Sequence, residues 1–157
     1  MDGIKKILAP VDFSNVCKSG VRYALELGRA QGAEVIVYHV IGPAEAWLAK
    51  HDEFFSLAEL VAEKKQQLAK FLAENFADIV SQVGIREVVD VGVPHSMIVE
   101  KAQQEEADII VMSTFGASGI SHMTIGSVTE KVVGRAPCPV LTVRGELAAE
   151  PEESLSS

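Results

Sequence analysis

The chain has 157 residues, 48% hydrophobic and 23% charged, which is the length of one domain with enough apolar material for a single core. Its formal net charge of −8 argues against a general affinity for nucleic acid, because phosphates attract basic surfaces. No apolar run approaches the ~20 residues of a membrane span. Met1 to Lys6 leads straight into a strand-like segment without a signal-peptide core. Cys17 and Cys138 match no metal or redox spacing, so they read as reduced thiols and the expected compartment is the cytoplasm.

In chain order, Lys5 to Val11 reads as a short buried strand ending in Asp12-Phe13-Ser14-Asn15, polar residues suited to starting a helix. Cys17, Val21, Ala24, Leu25 and Gly28 then fall on one helical face, with Gly32 as a C-terminal stop. Glu34 to Val40 is β-branched and nearly all apolar without alternation, as expected of a strand covered on both faces. Ala44 to Leu48 suggests a short helical turn anchored by Trp47, Phe54 and Phe55. A longer helix follows, with Leu57, Leu60, Val61, Leu68, Phe71, Leu72 and Ile79 on one side and Gly84 as its breaker. Ile85 to Val91 reads as a third strand. Gly92-Val93-Pro94 turns into a helix through Ile98, Val99 and Ala102, and Asp108 to Met112 is a further buried strand. A glycine-bearing loop from Ser113 to Ile125 precedes a helix from Gly126 to about Gly134, which Pro137 and Pro139 end. Val140 to Val143 is the last strand. Residues 146–157, with Glu146, Glu150, Glu152 and Glu153, read as an acidic tail outside a domain of residues 1–145.

Alternating strands and helices imply right-handed crossovers and a parallel sheet with helices on both faces. The expected architecture is a Rossmann-like α/β fold of five strands in the order 3-2-1-4-5. Such sheets bind ligands beyond the carboxyl ends of the strands where the winding reverses, here between the first and fourth strands. The segment after Met112 supplies glycines and hydroxyl residues at that point: Ser113, Thr114, Gly116, Ser118, Gly119, Ser121, Thr124, Gly126, Ser127 and Thr129. Glycines admit close approach of main-chain amides to an anion, and the following helix start offers unpaired N–H groups and a positive dipole end. Together they describe a phosphate site, although the same composition also serves ordinary turns and caps. It is neither a Walker A loop nor a dinucleotide fingerprint.

Several segments in order resemble the universal stress protein family over residues 4–143. They are Ile7-Leu8-Ala9-Pro10-Val11-Asp12-Phe13-Ser14, Gly92-Val93-Pro94, Gly126-Ser127-Val128-Thr129-Glu130-Lys131-Val132-Val133 and Ala136-Pro137-Cys138-Pro139-Val140-Leu141. ATP-binding members carry Gly, two residues, Gly, nine residues, then Gly-Ser or Gly-Thr. Here Gly116 and Gly126-Ser127 match, while Ser113 stands in place of the first glycine. The resemblance implies an ATP-binding, nucleotide-dependent stress-response module, with or without a magnesium ion on the phosphates. It implies Pro10, Val11 and Asp12 bordering the adenosine, and Val40 against the adenine. Met112 and Ser113 would lie under the ribose, with Gly116, Gly126, Ser127, Val128 and Thr129 at the phosphates. It also implies a homodimer built around Val140 to Val143.

Two other readings stay open at this level: a slow ATPase or phosphotransferase, and an interaction protein of the same family that holds no nucleotide. No lysine, arginine or carboxylate lies in the loop to serve phosphoryl transfer. Among the histidines, His39 reads as core or a hydrogen-bonded strand residue, and His122 lies within the loop. His51 and His95 complete no zinc spacing. Trp47 to Phe55 is either a flap beside the adenine side or a loop packed on the following helix.

Overall fold

The computed structural model describes residues 2–114 and 125–145. Gly116, His122 and the 146–157 segment lie outside them. Five parallel strands, β1 (Lys6–Pro10), β2 (Glu34–Ile41), β3 (Ile85–Val91), β4 (Ile109–Ser113) and β5 (Val140–Val143), form one sheet in the order β3-β2-β1-β4-β5. This is the expected order, and it puts the reversal of winding between β1 and β4. Five α-helices connect them: α1 (Cys17–Gln31), α2 (Pro43–Lys50), α3 (Leu57–Asn75), α4 (Pro94–Gln104) and α5 (Ser127–Arg135).

The absence of alternation in β1, β2 and β4 has its cause in two separate cores. Ile7, Ala9, Val35, Val37 and Val111 face α1 and α3, and pack with Val21, Leu25, Leu68 and Leu72. Leu8, Ile36, Tyr38, Ile110 and Met112 face the other way and pack with Ile98, Ala102 and Val132 of α4 and α5. A strand buried on both faces has no solvent side on which to place polar residues. Helix α1 buries the predicted face together with Gly20. It ends at Gly32 in the left-handed region at φ 64, a conformation a Cβ disfavours.

The region around α2 and α3 departs from expectation in two ways. Trp47 is 58% and Phe54 91% exposed, so neither anchors its segment. The work is done by Ala46 and Ala49, buried on α2, by partly buried Phe55, and by a Lys64–Glu45 ion pair at 3.0 Å. Helix α3 begins with a reciprocal Ser56–Glu59 capping box, and it stops at Asn75 instead of running on to Ile79. Arg22 reaches across from α1 to take the Asn75 carbonyl at 3.1 Å, satisfying a helix-end acceptor that a further turn would have used. Ile79 is still fully buried, in the short segment before a 3-10 turn at Val80–Gln82. Among the described residues no helix is long and apolar enough to cross a membrane.

Candidate functional site

The site begins where β1 fails to continue. Pro10 has no N–H to donate, and Val11 makes one more rung by donating to the Tyr38 carbonyl at 2.8 Å. Phe13 then adopts φ 65, which costs a non-glycine residue on the order of 1 kcal/mol. This turn carries Asp12 out of the sheet. The Asp12 Oδ1 accepts from the Ser14 amide at 3.0 Å and the Ser14 hydroxyl at 2.6 Å, so it caps the turn. The N-cap of α1 is Val16, without a side-chain hydrogen bond. Among the described residues the other carboxylate oxygen, Oδ2, makes no hydrogen bond. Cys17 follows, its thiol donating to the Ser14 carbonyl at 3.2 Å. Burial and the Asp12 carboxylate push that thiol up to about 11, leaving it protonated and unreactive at neutral pH.

The opposite wall is the end of β4. Ser113 has ordinary strand geometry, since the only described non-glycine residues at positive φ are Phe13 and Glu106. Its hydroxyl turns toward α1, donating to the Val16 carbonyl at 2.8 Å and accepting from the Gly20 amide at 3.1 Å. It thus inserts into what would be one i→i+4 rung of the helix. Gly20 makes this possible: a Cβ there would sit 2.8 Å from both the Ser113 amide nitrogen and its Oγ. Thr129 donates its hydroxyl to the Ser113 carbonyl at 2.9 Å. One residue therefore joins the first turn of α1 to the first turn of α5.

Helix α5 supplies the third wall. Its N-cap, Gly126, is extended and offers no side chain, so the helix start is uncapped. The Gly126 amide donates to the Thr114 carbonyl, closing the loop at its base. The Ser127, Val128 and Thr129 amides have no partner among the described residues, and they carry the positive end of the helix dipole.

These elements enclose a cavity of about 320 Å³. It is lined by Pro10, Val11, Asp12, Val40, Met112, Ser113, Gly126, Ser127, Val128 and Thr129, every described residue picked out from sequence; Gly116 lies outside the described residues. In the fold the Ser113 and Thr129 hydroxyls and the Gly126 amide hold the walls together. Cys17, Tyr38, Pro94 and Ile98 also line the cavity. Tyr38 is braced by donating to Asp90 Oδ2 at 2.7 Å, and burial beside Asp90 raises its pKa far above the usual phenol range. Cys17, Tyr38 and Ile98 lie on the elements expected of them, while Pro94, read as part of the turn, opens α4; nothing in their spacing marks them as lining. Gly20 was passed over altogether; a small residue on the buried face of α1 was its signal. Among the described residues Asp12 is the only charged one in the lining. Trp47 and Phe55 do not reach the cavity. Among the described residues no cluster of three or more metal-ligating side chains exists, and both cysteines are free.

The sequence matches the profile of the Universal stress protein family over residues 3–144. It is 34% identical over 155 residues to the universal stress protein MJ0577 of Methanocaldococcus jannaschii, covering 89% of this chain and 94% of that protein. The solved structure of MJ0577 superimposes with a TM-score of 0.75 at 30% identity, over 92% of this chain and 99% of that one. A universal stress protein from Archaeoglobus fulgidus, solved in complex with dAMP, has a TM-score of 0.61 at 21% identity, over 92% and 100% of the two chains. Another universal stress protein, solved in complex with cAMP, has a TM-score of 0.65 at 22% identity, over 92% and 99%. With a family match spanning nearly the whole chain and the reversal-point cavity of the same fold, this chain belongs to the universal stress protein family.

Proposed function

We propose that the cavity binds an adenine nucleotide, ATP in its full form, and that occupancy makes the protein a nucleotide-dependent stress-response module. The observation that carries this reading is the uncapped first turn of α5, whose residues line the same cavity as Asp12. Amides at a helix start suit phosphate, while a carboxylate oxygen suits a ribose hydroxyl or an amino group. The dAMP and cAMP complexes of two family members support it. ATP would place its phosphates at Ser127, Val128 and Thr129. Magnesium would be carried by the phosphates, with Asp12 as the one carboxylate among the described lining residues. The lining contains no lysine or arginine, and the 115–124 sequence adds none. This favours binding over phosphoryl transfer, which needs positive charge on the migrating group. Occupancy changes conformation or partner choice only if two states differ in affinity. Calorimetric titration with ATP, ADP and AMP tests the reading: saturable binding at one site per chain is expected, and no heat from any of them ends it.

We also propose that the protein is a homodimer through β5. In the β4–β5 ladder the Ile110 amide donates to the Pro139 carbonyl and the Thr114 amide to the Val143 carbonyl, so the amides of Val140 and Thr142 point outward along an unpaired edge. Such an edge is a template for strand addition. Thr142→Pro removes one outward donor and leaves the β4 rungs intact. It is expected to weaken the dimer at least tenfold, in round terms on the order of one lost rung or more, with the monomer still folded. Sedimentation velocity across a dilution series reads this; an unchanged dimer excludes β5 as the interface.

A further inference from the structure

His39 is buried and does not itself line the cavity. Its importance lies in a missing rung. The Glu34 amide donates to the Lys5 carbonyl at 3.0 Å, and Val11 to Tyr38, so the even-numbered residues of β2 bond toward β1. The odd-numbered ones bond toward β3, as Val35 to Gly84 at 2.8 Å and Gly92 to Ile41 at 2.9 Å show. The next rung toward β1 would run from the Val40 amide to the Val11 carbonyl. That carbonyl is held instead by the His39 Nδ1 at 2.8 Å. Beyond it, the Val40 carbonyl would await an amide from residue 13, and Phe13 has turned away at φ 65. Phe13 itself rests on the imidazole with ring centroids 4.4 Å apart. Among the described residues both backbone groups of Val40 are therefore left without a partner, at a residue that lines the cavity.

A free N–H beside a free C=O on a strand edge is a directional pair. It fits a 6-aminopurine, whose ring N1 accepts and whose amino group donates. A 6-oxopurine presents the opposite pattern at both atoms, so each contact becomes a mismatch. Resting on the nucleotide reading above, we propose that His39 is a positioning residue for base recognition: by taking the Val11 carbonyl out of the sheet it opens the Val40 amide to the purine edge, beside the Val40 carbonyl that the Phe13 turn leaves free.

The chemistry of the bond specifies the imidazole. A carbonyl only accepts, so Nδ1 carries the proton and Nε2 is a lone pair, buried without a partner. Burial keeps the ring neutral, lowering its pKa, and Lys64 from α3 acts in the same direction. The hydrogen bond to Val11, Glu45 from α2 and Asp12 each oppose it more weakly than burial.

The test measures ATP and inosine triphosphate affinity for the wild type, His39→Phe and His39→Asn, with thermal melting to confirm folding. The wild type is expected to prefer ATP. His39→Phe keeps the ring's bulk without the donor, and is expected to lose about tenfold in ATP affinity, the effect of one hydrogen bond to a buried acceptor, with inosine triphosphate unchanged. His39→Asn, whose amide can reach the same carbonyl, restores the preference. An equal loss for both nucleotides, or a preference that survives His39→Phe, overturns the proposal. Nitrogen-15 spectra of the nucleotide-free protein provide a readout that needs no ligand: the Nδ1–H tautomer is expected, and an Nε2–H tautomer overturns it. A wild type that binds neither nucleotide would instead sink the proposed function, with the tautomer still reporting on the His39–Val11 bond.

Discussion

Replacing Gly20 with alanine is expected to lower stability by about 2 kcal/mol, in the range of overpacking a closed contact, and to reduce the melting temperature by roughly 4–8 °C. The sign is the informative part. At an open helical position the same change stabilises by up to about 1 kcal/mol, and Gly134 in α5, with nothing within 4 Å of its would-be Cβ, supplies the control. At Gly20 the new methyl group meets the Ser113 amide nitrogen and hydroxyl at 2.8 Å and the Met112 carbonyl carbon at 3.1 Å. Two of those three are backbone of a central strand and cannot swing aside. Combining it with Ser113→Gly removes the serine side chain and so relieves only the Oγ contact of the three, so partial rescue is expected, with non-additive energies in a double-mutant cycle. A Gly20→Ala protein as stable as the wild type in calorimetric melting would show that α1 and β4 are not in the contact described.

Ser127→Pro is expected to reduce ATP affinity about a hundredfold while leaving adenosine affinity and the melting temperature nearly unchanged. Proline suits the first position of a helix, where its fixed φ is already helical and no intrahelical donor is lost. The residue before a proline must be extended, and Gly126 already is, at φ −72 and ψ 157. The substitution therefore removes an amide and a hydroxyl from the helix start without disturbing the backbone that presents the others. Loss of one or two hydrogen bonds to an anion, at about 1.5–3 kcal/mol each, sets the magnitude. Because the change is confined to the phosphate end, ATP and adenosine should separate cleanly in parallel titrations. ATP affinity within about threefold of the wild type would remove the α5 amides from the phosphate site.

Much of this was legible in the amino-acid order because it rests on local causes. Unbroken apolar runs in β2 and β4 demand cover on both faces, the 3.6-residue spacing from Cys17 to Gly28 defines one side of α1, and Pro137 and Pro139 stop α5 wherever they are placed. From those, the alternation of elements leads to the strand order and to the reversal point between β1 and β4. Trp47 and Phe54 misled because aromatic character suggests burial, whereas burial is decided by what lies opposite. Small Ala46 and Ala49, on the contact face of α2, proved to be the packing residues.

What the linear order carried by itself was the type and sequence of the elements, the family resemblance and the group of residues gathered at one end of the sheet. The roles of individual polar groups belong to the tertiary structure. Ser113, His39 and Thr129 are the buried polar residues of the described chain, and each spends its donor on a carbonyl distant in sequence: Val16, Val11 and Ser113 respectively. A hydrogen bond is directional and short, so its partner is chosen by the three-dimensional approach of two segments. Hydrophobic patterning requires only a periodic face, and a periodic face can be read along the chain.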